Sequence, residues 1–330
     1  MLISRNLRLY LATALAALLS GCVFITGNLN PFSATPQPLE EHVVSGEGSA
    51  KILLLDISRV ISNQEDEGAL GMNRREGLTA RIDAELQRAA KDDKVRAVVL
   101  RINSPGGTVT ASDVIYHQIM TFKAERHVPV IAQLLDMGTS GAYYVALAAD
   151  EIVASPTTVT GSVGVVMSGL NFAGLMDKLG VRNQTIKSGA HKDIGSPLRA
   201  MTPEAQAILQ SVLDGMQQRF LGLVRERRTQ VSDEAAKTIA DGRILTADQA
   251  LQLGLVDRIS YLPDTLHATE QRAGVSAARV VMYRRPQEFA ENIYSRAPLT
   301  PSQINLVNLD FGGWSHAAPQ FMYMWLPNLE

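Results

Sequence analysis

With 330 residues, 46% of them hydrophobic, the chain is long enough to bury a substantial core in one large domain or two small ones. A net charge of −2, with Lys, Arg, Asp and Glu mixed along the chain, gives no basic stripe and argues against nucleic acid as a partner. The single cysteine, Cys22, excludes an intrachain disulfide and a cysteine-held metal, and no metal or organic cofactor is called for.

Arg5 and Arg8 precede a short apolar run from Leu9 to Gly21, the layout of a secretory signal peptide over residues 1–21. The run ends Leu19-Ser-Gly-Cys22, which resembles the bacterial lipobox, and that resemblance implies that Cys22 becomes the lipidated first residue of the mature chain. The rival reading is an uncleaved membrane span, because Val23-Phe24-Ile25 continue the apolar character to a length at the short end of the usual range. Either way the body of the protein is held at the extracytoplasmic face of a bacterial membrane. Val23 and Phe24 after the cysteine, with no Asp, fit the outer-membrane sorting pattern of Gram-negative lipoproteins, on the periplasmic side. Residues 22–50, rich in Pro, Ser, Gly and Asn, read as a flexible tether.

Lys51–Ile57 is a buried strand, and Asn63 to Glu76 is too polar for a core and reads as a loop. Leu78, Ile82 and Leu86 mark an amphipathic helix to about Asp92, and Val95–Ile102 is a strand apolar on both faces, as in a covered parallel sheet. Asn103-Ser-Pro-Gly-Gly-Thr108 ends that strand before a helix from about Ser112 to Phe122. Two glycines in such a place leave N–H groups open to an anion or a developing oxyanion, although a Pro-Gly-Gly turn is commonly only a turn.

The run Val128–Leu135 then leads into Gly138-Thr-Ser-Gly141, a tight turn before a helix of small residues. Ser140 stands at the mouth of that helix, where a serine is ordinarily an N-cap. Glu151–Ser155 and Thr157–Met167 are further strands, the second bent at Gly161 and Gly164 with Ser162 between them. A helix around Leu170–Leu179 and a strand at Val181–Ile186 lead to a polar loop, Lys187-Ser-Gly-Ala-His-Lys-Asp-Ile194.

Thr202-Pro203-Glu204 starts a long helix striped by Ile208, Val212, Met216, Phe220 and Val224, a face for a core or a subunit contact. Shorter helices follow at Asp233–Ile239, Ala247–Leu253 and Asp264–Ala273, with a strand at Ala278–Tyr283. The tail from Phe311 to Pro327 carries aromatics without helical or strand period, so it is either packed on a partner surface or mobile.

A nucleophilic Ser140 needs a base. No histidine is placed by a local signal, although His191 in the polar loop stays open, and a lysine serves only when desolvation strips its proton at neutral pH. Arg101-Ile-Asn-Ser-Pro-Gly-Gly107, Ser140-Gly-Ala-Tyr-Tyr144, Gly161-Ser-Val-Gly164 and Lys187–Ile194 followed by Met201-Thr-Pro resemble the motifs of the signal peptide peptidase A family, or protease IV. The resemblance spans about Lys51 to Asp257 and fits the short, single-unit members.

It implies an α/β fold of the crotonase/Clp type, a repeated ββα spiral core with flanking helices, in a peptidase domain at 51–285 with a C-terminal extension at 286–330. It implies Ser140 as nucleophile, Lys192 as general base, Ser162 as the hydroxyl that holds the lysine amine, and the Gly107 and Gly141 N–H groups as oxyanion hole. Lys187 is the competing base. Ala142 departs from a glycine common in the family and implies a narrowed pocket. The resemblance further implies a homo-oligomer in which Ser140 and Lys192 come from different chains.

The reading is therefore a membrane-tethered serine endopeptidase acting on peptide substrates, remnant signal peptides and exported misfolded proteins, with small or apolar residues at the cleaved position. The alternatives are a non-catalytic chaperone-like or scaffold lipoprotein that keeps the fold, and an enzyme acting on acyl-CoA thioesters, which export from the cytoplasm disfavours.

Overall fold

The computed structural model describes residues 38–64, 66–67, 74–286, 288, 290–295 and 321–325. The expected signal peptide, Cys22 and the expected tether as far as residue 37 lie outside the described residues, as do most of the expected C-terminal extension and His316. In chain order the strands are β1 (Glu40–Ser45), β2 (Ala50–Ser58), β3 (Asp66–Glu67), β4 (Arg74–Arg75), β5 (Val95–Ser104), β6 (Gly106–Thr108) and β7 (Val130–Thr139), then β8 (Glu151–Ala154), β9 (Val159–Gly161), β10 (Val166–Met167), β11 (Ile244–Thr246), β12 (Arg258–Ile259), β13 (Ala278–Arg284) and β14 (Phe321–Met324). The helices are α1 (Leu78–Ala90), α2 (Val109–Arg126), α3 (Gly141–Ala146), α4 (Ala173–Lys178), α5 (Pro203–Arg227), α6 (Asp233–Ile239), α7 (Ala247–Gln252) and α8 (Leu262–Arg272).

The main sheet runs β1-β13-β2-β5-β7-β8-β12, and every neighbouring pair except β1 with β13 is parallel. Alternation along its central strands fills two cores. Leu53, Leu55 and Ile57 of β2 and Val98, Leu100 and Ile102 of β5 enter one core, whose other walls are α1, α2 and α3. Ile52 and Leu54 of β2 and Ala97 and Val99 of β5 enter the second core, against Leu262 and Leu266 of α8. Strands buried on both faces favour apolar residues at consecutive positions, which explains the runs Ile52–Leu55 and Ala97–Leu100. A sheet strand followed by short strand segments and a helix recurs in β5-β6-α2 and in β8-β9-β10-α4, in keeping with the repeated unit of the expected α/β fold.

Several expectations are corrected. The tether does not reach residue 50, because Glu40–Ser45 forms an edge strand antiparallel to β13. Its composition is that of a linker, and only the main-chain partner makes it a strand. The polar stretch after Asn63 contains the small β3-β4 pair. Val181–Ile186 is not a strand, since no neighbour offers it a ladder, and Ile186 is 99% exposed. The helix near Leu170 shortens to α4, which buries none of its residues. Along α5 the apolar stripe divides: Phe220 and Val224 are buried, while Ile208 and Val212 face outward.

A buried ionic cluster ties the C-terminal extension to the sheet. Arg101 of β5 donates from Nε and Nη2 to Asp56 Oδ1 of β2, at 2.9 and 2.6 Å, and from Nη2 to the Ser295 carbonyl at 2.6 Å. Burial raises the Asp56 pKa, but Arg101, Arg81 and Arg284 outweigh it and hold the carboxyl below its usual range. No helix among the described residues is long and apolar enough to cross a membrane.

Candidate active site

The site lies where the parallel strands end and their short successors diverge. β5 stops at Ser104, whose Oγ accepts the Gly106 N–H at 3.1 Å, and Gly106 takes φ +100°, a conformation costly for any residue with a β-carbon. The next residue, Gly107, is hemmed in by the main chain of Ile61. A β-carbon there would lie 1.9 Å from the Ile61 carbonyl oxygen. The two glycines are thus demanded by close backbone approach, which a simple turn does not require.

β7 runs on to Thr139 beside β9, with Thr139 opposite Gly161. Ser140 follows at φ 53°, ψ −117°, a strained conformation for a residue with a side chain, and its N–H is held by the Gly161 carbonyl at 2.8 Å. Ser140 occupies the N-cap position of α3, but its side chain makes no capping bond. Its hydroxyl instead lies 3.5 Å from the Gly164 carbonyl oxygen, at the outer limit of a hydrogen bond. The geometry separates the two readings of this residue: the hydroxyl is not engaged in capping.

The two oxyanion candidates, Gly107 and Gly141, are near neighbours in the fold. A β-carbon built on Gly141 would be 3.1 Å from the Gly107 nitrogen, and one built on Gly106 would be 2.8 Å from the Gly141 nitrogen. Ser162 is buried and also lies at positive φ, 52°, with its N–H donated to the Arg243 carbonyl at 2.7 Å. Its hydroxyl has no hydrogen-bond partner among the described residues. Ala142 is fully buried in the main core, so its methyl packs among core side chains.

Ser140 is buried, 1% exposed, whereas Lys192 is exposed. It lies in an exposed turn segment between α4 and α5, and its amine has no hydrogen-bond partner among the described residues. Lys187 is engaged: its amine donates to Asp193 Oδ1 at 2.7 Å and to the Ala190 carbonyl at 2.9 Å. Hydrogen bonds from Lys187 and Arg199 hold the Asp193 carboxyl down at about 2. His191 faces Glu204 at 3.5 Å on the surface.

The structure links Tyr144, the last residue of one motif, to residues outside the motifs. Tyr144 donates to Asp113 Oδ1 at 2.6 Å, and Arg219 of α5 donates to the same oxygen at 2.6 Å. Burial works to raise the Asp113 pKa, but these two bonds prevail and lower it, while burial and Asp113 push the Tyr144 phenol up. Tyr323 of β14 stacks on Tyr144, with ring centres 5.3 Å apart. A run of five large apolar residues, Phe321 to Trp325, was the only signal for that strand. Among the described residues no cluster of His, Cys, Asp or Glu could hold a metal.

Comparison with known proteins decides the family. The model of peptidase family S49 matches residues 123–276, and the Clp protease model matches residues 58–154. The protein that carries the name signal peptide peptidase SppA in Enterococcus faecium is 33% identical over 79% of this chain and 74% of its own length. The chain belongs to peptidase family S49. The S49 match includes Ser140, Ser162 and Lys192, and the Clp match includes Gly107 and Ser140. A protease of Methanocaldococcus jannaschii is 40% identical over 58% of this chain and 61% of its own. A solved structure of a membrane-bound stomatin-specific protease is 16% identical, covering 68% of this chain and 86% of that one at a TM-score of 0.42.

Proposed function

We propose that this S49 peptidase is a membrane-tethered serine endopeptidase that degrades remnant signal peptides and misfolded exported proteins through a Ser140–Lys192 dyad. The observation that carries the reading is Ser140 itself: a strained, buried serine with an uncapped hydroxyl, next in sequence to Gly141, whose surroundings include the Gly107 backbone nitrogen. Such strain is retained where the surroundings enforce it, and it exposes a nucleophile to an incoming carbonyl. Attack by Ser140 Oγ would place negative charge on that carbonyl oxygen, where the Gly107 and Gly141 N–H groups receive it.

Lys192 of a second copy supplies the base. Its amine, without a hydrogen-bond partner among the described residues, supports this role over the ion-paired Lys187, as does the apolar surface around its segment, where Leu170, Leu175, Leu179, Val181 and Met201 are all exposed. A face of that kind is suited to burial between copies, which would desolvate the lysine and favour its neutral form. Ser162 would hold the amine by its hydroxyl. Anchoring would come from lipid on Cys22, with the domain on the periplasmic side.

The test uses Ser140→Ala and Lys192→Ala, assayed for peptide hydrolysis and for labelling by a serine-directed phosphonate. Both variants should be inactive alone, and their mixture should regain activity if each site draws on two chains. Labelling that persists in Ser140→Ala removes the nucleophile, and hydrolysis that survives Lys192→Ala removes the base.

A further inference from the structure

Lys187 and Lys192 stand in one loop between α4 and α5, and a single carboxylate distinguishes them. Asp193 Oδ1 accepts from Lys187 Nζ at 2.7 Å and from Arg199 Nη2 at 3.0 Å, while its Oδ2 accepts from Arg199 Nε at 2.9 Å. Lys187 Nζ also donates to the Ala190 carbonyl at 2.9 Å. The residue next to Lys192 in sequence thus links the beginning of the loop to its end, and Lys192 sits at the bend between them. Main-chain turns shape that bend: the N–H groups of Lys192, Ile194 and Ser196 are donated to the carbonyls of Gly189, His191 and Asp193, at 3.2, 3.1 and 3.0 Å.

The far end of the loop is fastened to the body. Asn171 Nδ2 donates to the Arg199 carbonyl at 2.6 Å, and the Phe172 N–H is donated to the Pro197 carbonyl at 2.7 Å, which holds the Arg199 side against the start of α4. No residue from 187 to 199 is buried, so polar contacts and not core packing give the loop its shape. An ion pair this near the surface adds little to global stability, and its effect is local. A carboxylate beside a lysine is also that lysine's ready partner, and such a pair favours the charged ammonium. Here both carboxylate oxygens are taken by Lys187 and Arg199, whose hydrogen bonds hold the Asp193 carboxyl down at about 2. It therefore stays charged at any pH where a lysine base works.

We infer that Asp193 is a positioning residue for the general base: by engaging Lys187 and Arg199 it fixes the bend that presents Lys192 to a second copy of the chain, and it leaves the Lys192 amine unpaired. The inference rests on the Ser140–Lys192 reading with the two residues on different chains. Asp193 touches no reacting atom. Without its carboxylate, Lys187 and Arg199 lose the partner they share, and the two ends of the loop are no longer joined through it. Lys187, the rival base, becomes part of the support for Lys192.

Full-length Asp193→Ala, assayed for kcat and KM on a fluorogenic peptide and for thermal unfolding, tests this. Its kcat should fall roughly 10²-fold, the scale for a reacting group misplaced by about 1 Å, with KM and the unfolding temperature unchanged. Asp193→Glu, which keeps the charge, should regain most of the loss. Co-expressed pairs then show which partner of the site is damaged. Asp193→Ala with Ser140→Ala should regain activity, because one chain brings an intact serine and the other an intact lysine loop. Asp193→Ala with Lys192→Ala should not, since neither chain presents the lysine. A folded Asp193→Ala enzyme with kcat near wild type overturns the inference, as does recovery with Lys192→Ala, or recovery with neither partner. The pair Ser140→Ala with Lys192→Ala is the reference: if it stays inactive, the reading of one site built from two chains fails, and the inference falls with it.

Discussion

Gly107→Ala is the sharpest perturbation of the oxyanion geometry, because the new methyl would meet main chain and not a side chain that can swing away. The β-carbon would sit 1.9 Å from the Ile61 carbonyl oxygen and 2.5 Å from both the Ile61 carbonyl carbon and nitrogen. Ordinary contact begins at 3.4 Å, so β6 or Ile61 must retreat by about 1.5 Å. Ile61 is fully buried and donates its own N–H to the Gly106 carbonyl at 2.8 Å, which makes β6 the part that moves. A shift of that size breaks a hydrogen bond from the Gly107 N–H, whose working distance is about 2.9 Å. Loss of one oxyanion donor costs about 3–4 kcal/mol of transition-state stabilisation, or roughly 10²–10³ in kcat. The assay is kcat and KM on a fluorogenic peptide, with thermal unfolding to confirm folding. Gly222→Ala, on the open surface of α5 with nothing within 4 Å of the added carbon, is the control and should keep full activity. A folded Gly107→Ala enzyme with kcat within about twofold of wild type would refute the oxyanion assignment.

Other consequences follow from the core and the site's supports. Asp56→Ala leaves Arg101 buried without its carboxylate and should lower stability by about 3–5 kcal/mol in urea unfolding. Phe220→Ala removes a fully buried ring that touches Tyr144 and Tyr323, and should cost about 3–5 kcal/mol in urea unfolding. Burial pushes the Glu85 carboxyl up to about 6 from 4.5, against the pull of Arg81 and Arg284. The folded state therefore keeps this proton longer than the unfolded chain, and stability falls as pH rises through that window by about 2 kcal/mol. In Glu85→Gln this fall should disappear, read from paired denaturation curves at pH 5 and pH 7.5; an unchanged pH slope would show that Glu85 does not titrate there. Asp56 acts in the opposite sense, its contribution being lost only as pH drops below the usual carboxylate range.

Much of this protein is set locally and was therefore legible in its sequence. β2, β5 and β7 are apolar at consecutive positions because both sheet faces are covered, and the Thr202-Pro203 start of α5 is a complete local signal. The order of the four motifs, from Gly107 through Ser140 and Ser162 to Lys192, likewise sufficed to place the chain in its family. Pairing between distant segments carries no such signal. The charged edge strand β1 and the aromatic strand β14 exist only because β13 and β6 offer free main-chain groups, and backbone hydrogen bonds leave no mark on side-chain periodicity. Ser140 shows the same division. Its sequence places a hydroxyl at a helix mouth, where a cap and a nucleophile look alike, whereas the contact with Gly161 and the positive φ that leave the hydroxyl uncapped arise from β7 meeting β9 in three dimensions.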